Sequence, residues 1–92
     1  MIHPIIHDLQ KECFKTSVDS HDCVLEYRKV TPTLLDFYHT YVPAKLRGRQ
    51  IAQQLTIFAL DYARRNNFKI IPSCSYVAHF ISLHPDFQGL VN

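Results

Sequence analysis

The stretch Val42-Pro43-Ala44-Lys45-Leu46-Arg47-Gly48-Arg49-Gln50-Ile51-Ala52 leads from an apolar run into a long amphipathic segment. Its charges have the wrong sign for an ordinary helix start. A helix N-terminus carries partial positive charge and four unpaired N–H groups. Chains usually answer with Ser, Thr, Asp or Asn at the cap and acids in the first turn. Here Lys45, Arg47 and Arg49 crowd the entry, and no acid follows until Asp61. An anion that takes both the N–H groups and the cations accounts for this, and phosphate is the common instance. A basic turn solvated by water is the plain alternative.

Working outward, the period on the C-terminal side is helical. Ile51, Leu55, Phe58, Ala59, Tyr62 and Ala63 fall on one face, which predicts a helix from about Gln50 to Arg65. Arg64 and Arg65 suit its negative end, and Asn66-Asn67 suit its stop. On the N-terminal side the chain reads as strands. Leu34 to Val42 is nearly continuous apolar and aromatic, the pattern of a central strand covered on both faces, and Pro43 ends it. Before it, Cys23 to Val30 alternates, with Leu25 and Tyr27 facing one way and Glu26 and Arg28 the other. Cys13 to Val18 is a further short strand, bounded by the polar turn Asp19-Ser20-His21-Asp22. Past the helix, Phe68 to Cys74 reads as a strand interrupted by Pro72, which cannot donate to a ladder. Val77, Phe80, Ile81 and His84 suggest a short last helix that Pro85 ends. Strand, helix, strand gives a parallel crossover, right-handed by default.

Composition bounds the rest. Ninety-two residues make one domain, 1–92. Apolar residues are 47% and charged residues 20% of the chain, the balance of an ordinary globular protein. No apolar run approaches the ~20 residues of a membrane helix, and Met1-Ile2-His3-Pro4 does not open a secretory signal. No membrane partner is expected. Cys13, Cys23 and Cys74 form no CxxC pair, which points to free thiols and a cytoplasmic, intracellular setting. The net charge is +2, and the cations gather at one helix entry instead of a broad stripe, so no nucleic-acid partner is expected. His3 and His7 are spaced i, i+4, but Pro4 follows His3 and no third ligand has suitable spacing. No metal site is expected. The chain is expected to be a monomer or a weak dimer.

Arg47-Gly48-Arg49-Gln50-Ile51-Ala52 resembles the R/Q-x-x-G-x-G/A signature with which the GNAT N-acetyltransferases hold the pyrophosphate of acetyl-coenzyme A. The likeness continues through His39-Thr40-Tyr41-Val42-Pro43, Ala59-Leu60-Asp61-Tyr62-Ala63-Arg64, Ile71-Pro72-Ser73-Cys74-Ser75-Tyr76-Val77 and His84-Pro85, and it is similar to the minimal, single-domain branch of that superfamily. The resemblance implies an α+β, α-β-α layered, truncated GNAT fold. Its mixed sheet would have about five strands, the N-terminal ones antiparallel, with a parallel crossover around a central helix and a short C-terminal helix. It implies an acetyl-coenzyme A-dependent N-acetyltransferase acting on an amine of unknown identity, a small molecule or a protein. The alternative is a module that binds coenzyme A or its acyl form with little turnover.

In that fold the two parallel strands splay at a bulge and the pantetheine arm enters the gap. The resemblance puts free backbone groups around Tyr41 and Val42 on one side and Ser73 and Cys74 on the other. Pro72 offers a physical reason for a splay, and marking an edge strand is its bland alternative. By the same resemblance Pro43, Leu46, Arg47, Gly48, Arg49, Gln50, Ile51 and Ala52 form the phosphate loop, and Ser75 and Tyr76 join the cofactor site. Cys74 is the candidate for chemistry, since a thiolate at a helix start is a strong nucleophile. It would relay the acetyl group, or only line the site while the amine attacks directly. A free cysteine can also be a small buried apolar residue. His39 is a candidate general base, or a core histidine held by a hydrogen bond.

The chain departs from the pattern at three places. Gln50 stands where glycine is usual, and it is strained by ~1 kcal/mol or more if the position needs positive φ. Ser75 replaces an asparagine. Ile81-Ser82 occupies the region of a tyrosine that would protonate the departing thiolate. Two C-terminal strands that would wall the acceptor side are also expected to be missing, which favours a macromolecular amine or a partner that completes the pocket.

Overall fold

The structure, a computed structural model, describes residues 3–92. Met1 and Ile2, part of the N-terminal stretch read above for a leader, lie outside the described residues. The described chain forms strands β1 (Ile6–Asp8), β2 (Cys13–Val18), β3 (His21–Thr31) and β4 (Leu34–Tyr41), then helix α1 (Ile51–Arg65), strand β5 (Lys69–Ile71) and helix α2 (Ser75–Leu83). Short 3₁₀ turns cover Ala44–Leu46 and Pro85–Leu90. The five strands lie in one sheet in chain order. The first three pairings are antiparallel, and β4 with β5 is parallel. This is the α+β architecture with a mixed sheet and a crossover helix that the sequence implied.

Local chemistry explains the joints. The β2–β3 hairpin closes in two residues, Asp19 and Ser20, at φ 51° and 65°, the left-handed pair whose twist matches the flanking strands. At the end of α1, Asn67 adopts φ 61°. Its N–H bonds Arg64 O and the Phe68 N–H bonds Ala63 O at 2.9 Å, so the helix stops in a Schellman motif with asparagine in the usual glycine place. Phe68 then stacks on Tyr62 with ring centroids 5.9 Å apart. Because that amide serves the helix end, Phe68 is not a strand residue. Pro72 lacks an N–H, so β5 keeps three residues where the sequence suggested seven.

The core lies between the inner face of the sheet and the helices. Phe14, Leu25 and Phe37 from the strands, Leu55, Ala59 and Leu60 from α1, and Val77, Phe80 and Ile81 from α2 belong to one buried cluster. His7, read above for a helical metal pair, sits in β1. It stacks on Phe14 with centroids 4.3 Å apart, and its Nε2 lies 2.6 Å from the Tyr27 hydroxyl. Among the described residues no cluster of His, Cys, Asp or Glu could hold a metal ion, and no helix is long and apolar enough to cross a membrane.

One irregularity positions the site. Glu26 pairs with His39 while Tyr27 pairs with Phe37. Tyr38 is therefore an extra residue in β4, a bulge that shifts the pleat by one. Regular alternation from Leu35 and Phe37 would send His39 and Tyr41 inward. Instead Thr40 and Val42 turn in, and Tyr38, His39 and Tyr41 are exposed. The strand is thus covered on both faces only as far as Phe37, which corrects the expectation of a fully covered strand.

Candidate functional site

The parallel ladder of β4 and β5 joins Leu34–Asp36 to Lys69–Ile71. It is extended by one further bond, Cys74 N–H to Phe37 O at 2.8 Å, and then stops. Past that point the chains part. Beyond Phe37 the outer side of β4 has no strand neighbour among the described residues, and the path from Pro72 turns into α2 with Cys74 as its N-cap. A groove of ≈ 520 Å³ opens at the end of the gap, lined by Thr40, Tyr41, Val42, Leu46, Arg47, Gly48, Gln50, Ile51, Ala52, Gln53 and Tyr76.

The floor of the groove is the start of α1. The first intrahelical bond runs from Gln54 N–H to Gln50 O at 3.1 Å. The amides of Ile51, Ala52 and Gln53 have no partner among the described residues, the cap supplies no side-chain bond, and the first turn holds no acid. Three unpaired N–H groups at the positive end of a 15-residue helix form an anion-ready surface. Gly48 adopts φ 87°, and a Cβ there would meet no atom within 4 Å. Glycine is set by the backbone conformation, not by crowding. Gln50 adopts φ 63° and ψ 24°. The position therefore needs the left-handed conformation, and glutamine bears the strain that the sequence made conditional.

The cations divide. Arg47 Nε donates to Val42 O at 3.0 Å, which ties its side chain across the end of β4 at the groove wall. Arg49 Nη1 instead pairs with Asp19 Oδ2 at 2.9 Å on the β2–β3 turn, and Arg49 does not line the groove. Pro43 opens the 3₁₀ turn that carries Leu46 into the core, and it sets the loop without lining the groove. Ser73 and Ser75 are exposed on either side of Cys74, outside the groove lining.

Cys74 is 9% exposed. Its Sγ lies 3.3 Å from Thr40 Oγ1, and Thr40 lines the groove, so the thiol stands behind the groove's inner end. His39 is not brought to it. The Tyr38 bulge turns His39 to the solvent side of β4 opposite Glu26, where it makes no hydrogen bond among the described residues. The expected core histidine is therefore not found. Tyr76, in the first turn of α2, presents a half-buried phenol to the groove, and burial raises its pKa. The other thiols, Cys13 and Cys23, are buried elsewhere, and burial pushes both pKa values up.

Two lining residues were not anticipated. Thr40 was hidden because simple alternation points it outward. Gln53 could have been found, since its N–H belongs to the first helical turn.

Residues 13–90 match the family model of the GCN5-related N-acetyl-transferases. Protein NATD1 of Danio rerio is 35% identical over 86 residues, covering 91% of this chain and 78% of that protein. Protein NATD1 of Homo sapiens is 33% identical over 81 residues, covering 86% of this chain and 72% of that protein. The solution structure of a GCN5-like protein from Staphylococcus aureus superposes with a TM-score of 0.77 at 26% identity, covering 97% of this chain and 87% of that one.

Proposed function

The chain belongs to the GCN5-related N-acetyltransferase family, and from that premise we propose that it transfers acetyl from acetyl-coenzyme A to an amine. The observation that carries this reading is an anion-ready helix start on the floor of one groove, with the Cys74 thiol behind the groove's inner end against Thr40. The amides of Ile51, Ala52 and Gln53 bind the pyrophosphate, and the Arg47 guanidinium adds charge-assisted bonds. Leu46, Ile51, Ala52 and Tyr76 supply the apolar wall. The backbone of Tyr41 and Val42 on one side, and of Ser73 on the other, bonds the pantetheine amides as an added strand would; the Cys74 N–H and carbonyl, expected to be free, are instead taken by Phe37 O and the Ala78 N–H.

Two routes serve the transfer. In the first, the Cys74 thiolate attacks the thioester carbonyl carbon. The new C–S bond forms, the bond to the coenzyme A sulfur breaks, and that sulfur takes the electron pair and the proton that Cys74 gave up. The amine nitrogen then attacks that carbonyl carbon, the C–N bond forms as the C–S bond to Cys74 breaks, and the Cys74 sulfur takes the electron pair and the nitrogen's proton. In the second, the neutral amine attacks the thioester carbonyl directly, the coenzyme A sulfur leaves with the electron pair and the nitrogen's proton, and Cys74 only stands behind the inner end of the groove. A second reading, a module that holds coenzyme A with little turnover, is favoured by Gln50 in a left-handed conformation at the groove wall.

Thermal-shift titrations with coenzyme A, acetyl-coenzyme A and inorganic phosphate test the first step. Both coenzyme forms should raise the melting temperature, because a ligand that binds only the folded state stabilises it. No shift at millimolar coenzyme A would remove both readings. Thiol release from acetyl-coenzyme A with a panel of amines then separates transferase from binding module.

A further inference from the structure

The Tyr38 bulge has a chemical consequence. It turns Thr40 inward beside Leu25, and the Thr40 hydroxyl then meets Cys74 Sγ at 3.3 Å. These residues are 34 apart in the chain and sit on the two elements that separate at the groove. No other side-chain hydrogen bond reaches Cys74 among the described residues. The cysteine's backbone is fixed as well, its N–H on Phe37 O at 2.8 Å and its carbonyl accepting the Ala78 N–H at 3.0 Å. One rotatable bond, χ1 of Cys74, is left to decide where the sulfur points, and Thr40 is the polar group on the groove wall beside it.

We infer that Thr40 is a positioning residue for Cys74. Its hydroxyl donates to the thiolate and holds the sulfur behind the inner end of the groove. A hydroxyl both donates and accepts. Toward the neutral thiol it accepts the S–H, and toward the thiolate it rotates and donates. A hydrogen bond to a charged partner is worth more than one to a neutral partner. The bond therefore favours the nucleophilic form of Cys74. Valine has the same shape without the hydroxyl, so it leaves the packing and removes only this bond. The inference rests on the reading of the groove as a thioester site, but its test does not depend on that reading.

The test is alkylation of the intact protein with iodoacetamide at fixed neutral pH, with Cys74, Cys13 and Cys23 followed separately by peptide mass spectrometry. Thr40→Val should slow alkylation of Cys74 roughly tenfold, the loss of one hydrogen bond to a charged group. Thr40→Ser should restore most of the rate, and Cys13 and Cys23 should react as in the unmodified protein. Melting temperatures of both variants, compared with the unmodified protein, report whether the fold is kept. Cys74 reacting at the original rate in Thr40→Val would overturn the inference. So would a Thr40→Ser variant as slow as Thr40→Val, since the hydroxyl would then not be the cause. Iodoacetamide needs no acetyl-coenzyme A, so these outcomes stand apart from a failure of acetyl transfer.

Discussion

His7 Nε2 lies 2.6 Å from the Tyr27 hydroxyl, linking β1 to β3 over the ring of Phe14 in β2. Burial lowers the His7 pKa below its usual value, and the neighbouring Asp8 offsets this only in part. Burial pushes the Tyr27 phenol up to about 12, so it stays neutral and can donate to an unprotonated imidazole.

A pH dependence of stability follows. The unfolded chain takes up a proton at His7 near pH 6.5 and the folded chain only at lower pH. The contribution of His7 is therefore fully present above about 6.5 and is lost as pH falls from there through the lower folded-state value. Melting temperature should fall more between pH 7 and pH 5 in the original chain than in His7→Phe, which keeps the stack on Phe14 and cannot titrate. Equal slopes for the two proteins would assign the acid sensitivity elsewhere.

At the phosphate loop, backbone conformation should dominate. Gln50→Gly relieves a left-handed residue and should stabilise the fold by about 0.5–1 kcal/mol, read by urea unfolding. Coenzyme A affinity should hold or tighten. Gly48→Ala should cost about 1–2 kcal/mol despite the open space around it, because φ 87° is unfavourable for any side chain. An unaltered Gly48→Ala would mean that the loop rearranges freely.

Arg47 and Arg49 should separate in calorimetric titration with coenzyme A. Arg47→Ala should weaken binding roughly tenfold, as loss of a charge-assisted bond does. Arg49→Ala should cost less than about threefold, since Arg49 is engaged with Asp19 and exposed pairs contribute little. The opposite ranking would show that the Asp19 pair opens to release Arg49 to the ligand.

The covalent route predicts a single acetyl mass on Cys74 after incubation with acetyl-coenzyme A alone, removed by hydroxylamine. Cys74→Ser should abolish it and keep the coenzyme A thermal shift, because an unassisted hydroxyl is a far weaker nucleophile. Full amine turnover by Cys74→Ser would leave direct attack as the mechanism.

What the sequence disclosed tracks how each element is specified. β2 and α1 follow from side-chain period, and their bounds match to within a residue. β1 was not seen, since three residues carry no period and Ile6–Asp8 is a strand only because Lys15, Phe14 and Cys13 pair with it. β5 was overread because two backbone facts trimmed it, the Phe68 amide spent on the helix end and the missing N–H of Pro72. The loop from Leu46 to Ala52 was legible because its charges contradict ordinary helix energetics. The inward turn of Thr40 and the exposure of His39 were not, because one surplus residue leaves no mark in composition.

That surplus residue fixes which side chains of β4 meet the thiol. Flattened with every residue kept, this part of the strand would put Tyr38 opposite Glu26 and His39 opposite Leu25, a change that backbone pairing alone would welcome. Every side chain from His39 to Val42 would then exchange faces, and an imidazole would stand beside Cys74 where a hydroxyl stands now. Loss of the Tyr38 codon would instead remove the surplus residue and keep His39 opposite Glu26 and Thr40 opposite Leu25. The strand is in effect a counting device, and its site is defined by the one residue that it leaves out of the count.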